Sequence, residues 1–576
     1  MIWLPFAMLV LSACESLPAR LWLQAPGWSR AQLIGVTRVQ DPIPMALEPS
    51  GRIYLFSFVT PDDSTYAHMT ALDRQANPVW EQTYREIPLR GARHPKLVWD
   101  GTQLQLFWTA QGALHHATVS RYGDLLDHHV FDLDLQVDTI DVAASSQGAV
   151  SVWLAGPPEN PGLYALDLNL EDLTLVDPHG VRPSLQYDGE GALHAAWARW
   201  LAGENDVPIQ YGAFPGGRYS PGTETTVVVP RFSGTTSLFG PILGLDRKQA
   251  YIFWSTTTFS GLEAGKIEAK FVHFPAGEPS VGAEDNILRV PSGYTLDYQE
   301  VESLLESGPR VELVAAPELA GTAITEISPN SAFADELVVA VLARLSYPMR
   351  KTRPQISAVY FQEGIADAYQ ELSFTPTSSS SPTILSDDRG RLYVNWLEKA
   401  DAGGWGIYIS STASDLREAL SNLDSTDVTR LTTETMFGLA SGALLLPLSL
   451  AWAVPALIVL VLTARLRRFE DDLEGTGAFL GLALALIVLW VIKLAILPSI
   501  QSYIPFSAWI PIIPPWLDIP LRIGVPIFIV VISAFAAWRY LVSKREGSPY
   551  KFIVIYAVVD GVLTMAIYGL FIYGVA

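Results

Sequence analysis

Short alternations of apolar and polar residues, broken by Asp, Gly and Pro, run along the chain as far as Met436. A period of two is that of half-buried β-strands. Beyond Met436 the alternation stops, and four long apolar stretches follow at 437–463, 477–497, 521–542 and 552–575. Each has the ~20 residues needed to cross a hydrocarbon core, where unpaired backbone groups force helix. The pattern therefore predicts a signal segment (1–14), a β head (15–433) and an all-α four-helix transmembrane domain (434–576).

Within the head one template recurs. A proline opens an alternating strand that ends at Asp, a Gly-containing turn follows, and a second strand carries a Trp thirteen or fourteen residues after the proline. Pro95 leads to Trp108, Pro183 to Trp197, Pro241 to Trp254 and Pro382 to Trp396. Weaker copies run from Pro44 to Phe58, Asp141 to Leu154 and Pro329 to Leu342, and third strands follow at 356–361 and 406–410. Most of these anchors recur at the spacing of four-stranded propeller blades. A single blade cannot bury both faces, whereas a closed ring of them can. The expected fold is an all-β propeller of about seven blades, with six or eight also open. The long step from Trp254 to Leu342 leaves room for an insertion around 281–326 or for an extra blade. A strand at 31–38 is expected to close the ring beside 427–432.

This template resembles the neuraminidase-like (BNR or Asp-box) propeller repeats over about two-thirds of the chain. Ser386, Asp387, Gly390 and Tyr393 match the Asp-box spacing, but between the first two strands of a blade rather than the third and fourth. A sialidase of that family uses three arginines for a substrate carboxylate, a Tyr–Glu nucleophile pair and an Asp acid/base. Arginine suits the first task because its fork grips a carboxylate with two hydrogen bonds. The family's aromatic-Arg-Ile-Pro signature is absent here. Arg182 precedes a blade proline and Arg93 lies two before another, which makes both candidates for binding at the channel mouth.

Charge narrows the partners. From Thr435 onward there are nine Lys or Arg and seven Asp or Glu, which leaves a net charge of −23 on the preceding part. So acidic a head repels nucleic acid and anionic lipid. The only cysteine is Cys14, so no intrachain disulfide can form. Leu11-Ser12-Ala13-Cys14 resembles the lipobox of bacterial lipoproteins, in which that cysteine is lipidated after signal cleavage, although no Lys or Arg precedes the apolar run. Arg465, Arg467 and Arg468 follow the first apolar stretch, and Arg539 near the end of the third clusters with Lys544, Arg545 and Lys551 ahead of the fourth. Both loops are then cytoplasmic, and the head and the C-terminus are extracytoplasmic, in a bacterial cytoplasmic membrane. The outer segment 501–520 carries five prolines, Pro520 among them, and reads as an interfacial hairpin or loop rather than helix.

Apart from Arg522 and Arg539 near the ends of the third stretch, two ionisable residues fall within the spans, Lys493 and Asp560. Measured from the inner helix ends, their depths are about 24 Å and 12 Å. That difference argues against an ion pair and for a lysine that snorkels outward. In the head, His116 and His129 face each other if the hairpin around Arg121–Asp124 is symmetric, and Asp127 shares their face, which makes a low-order metal candidate. Solvated strand histidines are the simpler reading. No P-loop, dinucleotide glycine motif, HExxH or nucleophile elbow occurs, and no cofactor is expected. Three readings follow: a non-catalytic binding head for a glycan or envelope protein, a sialidase-type hydrolase, and a docking subunit for a membrane partner.

Overall fold

A computed structural model describes residues 25–290, 311–312, 324–420, 436, 453–467, 476–496 and 515–574. Short stretches at 26, 61–63, 90, 134, 169–171, 202–204, 232–235, 262–263, 280–282, 331–335, 346–352, 374–376, 401–402 and 546 are excepted. The expected signal segment with Cys14, most of the first apolar stretch and most of 501–520 lie outside the described residues.

The head is a seven-bladed β-propeller. Its blades span 45–89, 93–131, 139–177, 180–228, 236–288, 324–371 and 379–411, each an antiparallel meander. The seven innermost strands touch one another in order around the ring, and the last meets the first. All seven sequence anchors fall on the second strand of a blade, from Phe58 in Ile53–Val59 to Trp396 in Leu392–Lys399. These strands are enclosed on both faces, so Trp108, Trp197, Trp254 and Trp396 are essentially inaccessible to water. Packing between faces of neighbouring blades is what a lone blade lacks.

The Asp of the template has a local task. The Oδ1 atoms of Asp100, Asp188, Asp246 and Asp387 each accept two backbone N–H bonds from the following turn, at 2.6–3.0 Å. Such Asx turns reverse the chain between the first two strands. Blade 3 uses Ser145 instead, and its turn needs Gly148: a Cβ there would lie 2.1 Å from the Asp100 carbonyl oxygen.

Ring closure differs from the expectation in one respect. The N-terminal strand Gln32–Thr37 does close the ring, but it pairs with Trp405–Ser411 as the outer strand of blade 7. Residues 427–432 lie outside the described residues. The blade already has its three strands within 379–411, so its open edge is the nearest unpaired ladder. Just before the strand, Trp28 is buried and donates to Gln370 Oε1 at 3.0 Å, tying the N-terminal segment to blade 6. Thr37 donates to the Phe58 carbonyl of blade 1 at 2.7 Å. Among the described residues the long step between Trp254 and Leu342 adds no eighth blade. Between blades 5 and 6, the described strand Val311–Glu312 adds a fifth strand to the edge of blade 6.

After a short helix α1 (Ser414–Ala419) come α2 (Ala453–Arg467), α3 (Thr476–Ile496), α4 (Asp518–Lys544) and α5 (Pro549–Gly574). The last four share an apolar core with small residues at its contacts, including Ala456, Ala485, Ala537 and Ala557. Thr476–Lys493 and Ile523–Lys544 are long and apolar enough to cross a membrane. Pro520, expected to break helix, lies in the first turn of α4. Backbone N–H groups there have no intrahelical partner, so proline costs little.

Candidate functional site

One irregularity repeats on the innermost strands. In blades 2, 4, 5 and 7 the pairing with the second strand slips between Arg93 and Lys96, Val181 and Ser184, Phe239 and Ile242, and Ser380 and Thr383. Each slip accommodates a residue followed by proline: His94-Pro95, Arg182-Pro183, Gly240-Pro241 and Ser381-Pro382. Proline has no N–H for the ladder, so a bulge is where a strand tolerates it. The residue before it adopts positive φ in all four cases: 53° at His94, 54° at Arg182, 94° at Gly240 and 53° at Ser381. For His, Arg and Ser that conformation is strained, and a following proline disfavours it further. Such outliers concentrate where geometry serves a purpose.

These bulges lie at one level, toward the start of the inner strands, and side chains there join neighbouring blades. The Asp41 carboxylate, ahead of blade 1, accepts from the His94 backbone and feels the charges of His94 and Arg93. Asp138, at the entry to blade 3, acts electrostatically on both His94 and Arg182. Arg182 Nη1 donates to the Leu238 carbonyl of blade 5. Glu326 of blade 6 accepts from Ser381 N at 2.5 Å, and Ser381 Oγ donates to the Gln40 carbonyl at 3.3 Å. Burial raises the carboxyl pKa of Asp41 and of Glu326 above the ordinary range, against the pull of neighbouring donors and charges. Burial also lowers that of the His94 imidazole, which favours its neutral form.

One step deeper is a belt of pins between inner strands. Asp141 of blade 3 takes Lys96 Nζ of blade 2 at 2.5 Å and Leu185 N of blade 4 at 2.6 Å. Ser184 Oγ accepts from Leu243 N of blade 5 at 2.9 Å, and Ser328 Oγ from Ile384 N of blade 7 at 3.3 Å. Below the belt, Gln186 Nε2 of blade 4 reaches the Asn330 carbonyl of blade 6 at 2.8 Å. Gly244 of blade 5 lies between them in ring order; a Cβ there would come within 3.1 Å of Leu337 and Pro329. Asp41 Oδ2, Thr139 Oγ1, Gln186 Oε1 and Asn330 Nδ2 are buried without a hydrogen-bond partner. Buried polar atoms are almost always satisfied, so four of them on or beside the inner strands stand out.

The sequence-predicted residues distribute as follows. Arg93 and Arg182 both lie at bulges on this level, Arg93 exposed and Arg182 half-buried. His94, Asp41, Asp138, Glu326 and Ser381 were missed, although for His94 and Ser381 the signal was available: each immediately precedes a template proline. The blade 2 hairpin pairs as expected, with His116 opposite His129. The rings do not converge, however. His116 stacks on Phe107, centroids 4.5 Å apart, and hydrogen-bonds Gln105 Oε1 at 2.6 Å, while His129 packs edge-on against Phe131. Asp127 is exposed opposite Thr118. Among the described residues no group of three or more His, Cys, Asp or Glu is placed to hold a metal.

Lys493 and Asp560 overturn the depth argument. Lys493 Nζ lies 2.9 Å and 2.8 Å from the two Asp560 oxygens, and both side chains are buried. The argument from depth measured both helices from a common level and ignored side-chain direction. A helical side chain leans toward its own N-terminus, so the long lysine reaches back down α3 toward Asp560.

No protein-family model matches this chain, and no curated protein does. Among solved structures it is similar to the polysaccharide lyase Uly1, with 10% identity over 66% of this chain and 90% of that one, at a TM-score of 0.43. A polysaccharide lyase described as the ulvan lyase PL25 gives 11% identity, 68% and 100% coverage and a TM-score of 0.41. The alpha-L-arabinanase of Penicillium chrysogenum gives 12%, 66%, 97% and 0.31. These are likenesses of fold alone.

Proposed function

We propose that this chain is a membrane-held propeller, with a head (15–433) outside a bacterial cytoplasmic membrane and a helical domain (434–576) within it. The head binds a polar ligand, a glycan or an envelope protein, at the channel mouth. The observation carrying this reading is the ring of strained bulges bearing Arg93, His94, Arg182 and Ser381 beside buried polar atoms that lack partners. A binding site is a concave surface with a few placed polar groups, and here those groups come from different blades. The membrane part is supported by the outer faces of α3 and α4. Phe479, Leu484, Ile487, Val491, Phe528, Val531, Phe535 and Trp538 are all exposed, and apolar surface of this kind marks a membrane or protein contact.

A second reading has its own observation. Asp41 and Glu326 are carboxyls whose burial favours the protonated form, in a ring that also holds Arg93 and Arg182. A carboxyl whose pKa burial raises, against the pull of neighbouring cations, has the tuning that a general acid in glycan hydrolysis uses. The full-length protein in detergent micelles separates the two on a glycan array and on fluorogenic sialosides. Binding without turnover, weakened at least tenfold by Arg93→Ala or Arg182→Ala, is the expected result. Turnover abolished by Arg182→Ala would make the head a hydrolase instead.

A further inference from the structure

Helices α3 and α5 run side by side in the same direction, since Trp490 meets Tyr556 and Lys493 meets Asp560 and Thr564. The Lys493 ammonium has three N–H donors and three acceptors: the two Asp560 oxygens and Thr564 Oγ1 at 2.7 Å. Lys493 is 1% exposed, Asp560 0% and Thr564 1%. Toward the N-terminal ends, Trp490 Nε1 donates to Tyr556 Oη at 2.8 Å, and the ammonium sits 4.9 Å from the Trp490 ring centroid. Leu489, Ile553 and Ala557 pack in the shared apolar core, and Ser533 of α4 is the other fully buried polar side chain among the described helical residues.

This polar seam is complete. It leaves no ammonium proton for a ligand, which argues against a transport or catalytic site. What it provides is mutual neutralisation of two charges that neither helix can carry into hydrocarbon alone. We propose that α3 and α5 hold their place in the membrane only as a pair, with Asp560 and Thr564 of α5 licensing the burial of Lys493. The final described helix thereby completes the insertion of an earlier one and sets their register. This inference rests on the membrane reading above. Buried ion pairs have this signature in general: losing one partner strands a charge, whereas replacing both by apolar groups is tolerated.

The test uses the full-length protein expressed in membranes, with the fraction resisting alkaline extraction and the thermal midpoint in detergent as readouts. If the wild type itself is released by alkali, the membrane reading fails. If the wild type is retained, the pairing is judged on its variants. Lys493→Ala and Asp560→Ala are each expected to lower the retained fraction at least threefold and the midpoint by about 10 °C. Lys493→Leu combined with Asp560→Leu is expected to recover both to near the wild-type values. Single variants indistinguishable from wild type, or a double variant no better than the worse single, would overturn the inference.

Discussion

The head and the helical domain bury polar groups in opposite ways. In the propeller, large apolar side chains fill the space between blades, and polar pins are spread around the channel, from Lys96–Asp141–Leu185 to Ser328–Ile384. In the helical domain, small alanines fill the contacts, and one ammonium, one carboxylate and one hydroxyl make a single dense seam. On the membrane reading proposed above, the surrounding solvent accounts for the difference. Water drives blades together by expelling apolar surface, so polar pins need only specify which neighbours meet. Lipid is as apolar as the helix core, so packing fit and polar contacts must distinguish a helix from its surroundings.

The contrast breaks most visibly at a blade tryptophan. Trp197 is 1% exposed, packs on Trp153 with centroids 5.8 Å apart and donates to Asp177 at 3.0 Å. Trp197→Ala should cost the head about 3–5 kcal/mol, read from the urea midpoint of the head transition. Phe535→Ala, on the exposed face of α4, should change stability in micelles by less than about 0.5 kcal/mol. Equal effects would mean that the two regions do not differ in what drives their packing.

Asp141 comes next, because one carboxylate serves blades 2, 3 and 4. Asp141→Ala leaves the Lys96 ammonium and the Leu185 N–H without partners and should cost roughly 2–3 kcal/mol. Ser328→Ala removes one neutral acceptor and should cost about 1 kcal/mol in the same urea measurement. If the two are equal, the belt is not graded by charge.

Blade number, meander and turn were legible in the sequence because each depends on near neighbours. The template Asp caps its own turn, and the anchor lies a fixed distance along the same hairpin. The mouth was half legible: the proline announces a bulge, but the groups that share the level with His94 and Arg182 come from Asp41, Asp138 and Glu326 on other blades. Only closure of the ring brings those together. The closing strand was found and its partner missed for the same reason, since strand pairing across the whole head has no local signal. At Lys493 and Asp560 residue spacing gave depth along each helix, whereas the contact depends on how two helices are offset and on which way a side chain leans.

Acid provides a smaller test inside the head. Burial lowers the pKa of His115 and His116 to about 4, so both are neutral in the folded state where the unfolded chain already protonates. Their contribution is present above pH 6.5 and is lost as pH falls from there toward about 4. Both rings are partly exposed, so it is on the order of 1 kcal/mol. Urea midpoints at pH 7 and pH 4.5 should converge in a His115→Gln, His116→Gln variant relative to the wild type. The raised carboxyls Asp41 and Glu326 act with opposite sign: their contribution is present at low pH and lost as pH rises through their elevated pKa values. The contribution of Asp41 and Glu326 therefore weakens as pH rises, while that of His94 at the same level strengthens together with blade 2.

The smallest expected stability effect is the sharpest test of the mouth. Arg93 is exposed, so Arg93→Ala should move the urea midpoint by an amount worth no more than about 0.5 kcal/mol. Its position on a strained bulge, beside a carboxyl that its charge helps to ionise, makes the opposite forecast for ligand binding. A rim cation that is dispensable for the ring but needed by the ligand dissociates the two measurements. An exposed basic residue at the outer edge of blade 4, away from the inner-strand bulges, such as Arg231, should dissociate neither. The comparison that decides is glycan-array binding by Arg93→Ala and Arg231→Ala side by side, both with wild-type unfolding. Loss in the first alone assigns the bulge level to recognition, and equal retention assigns it to architecture.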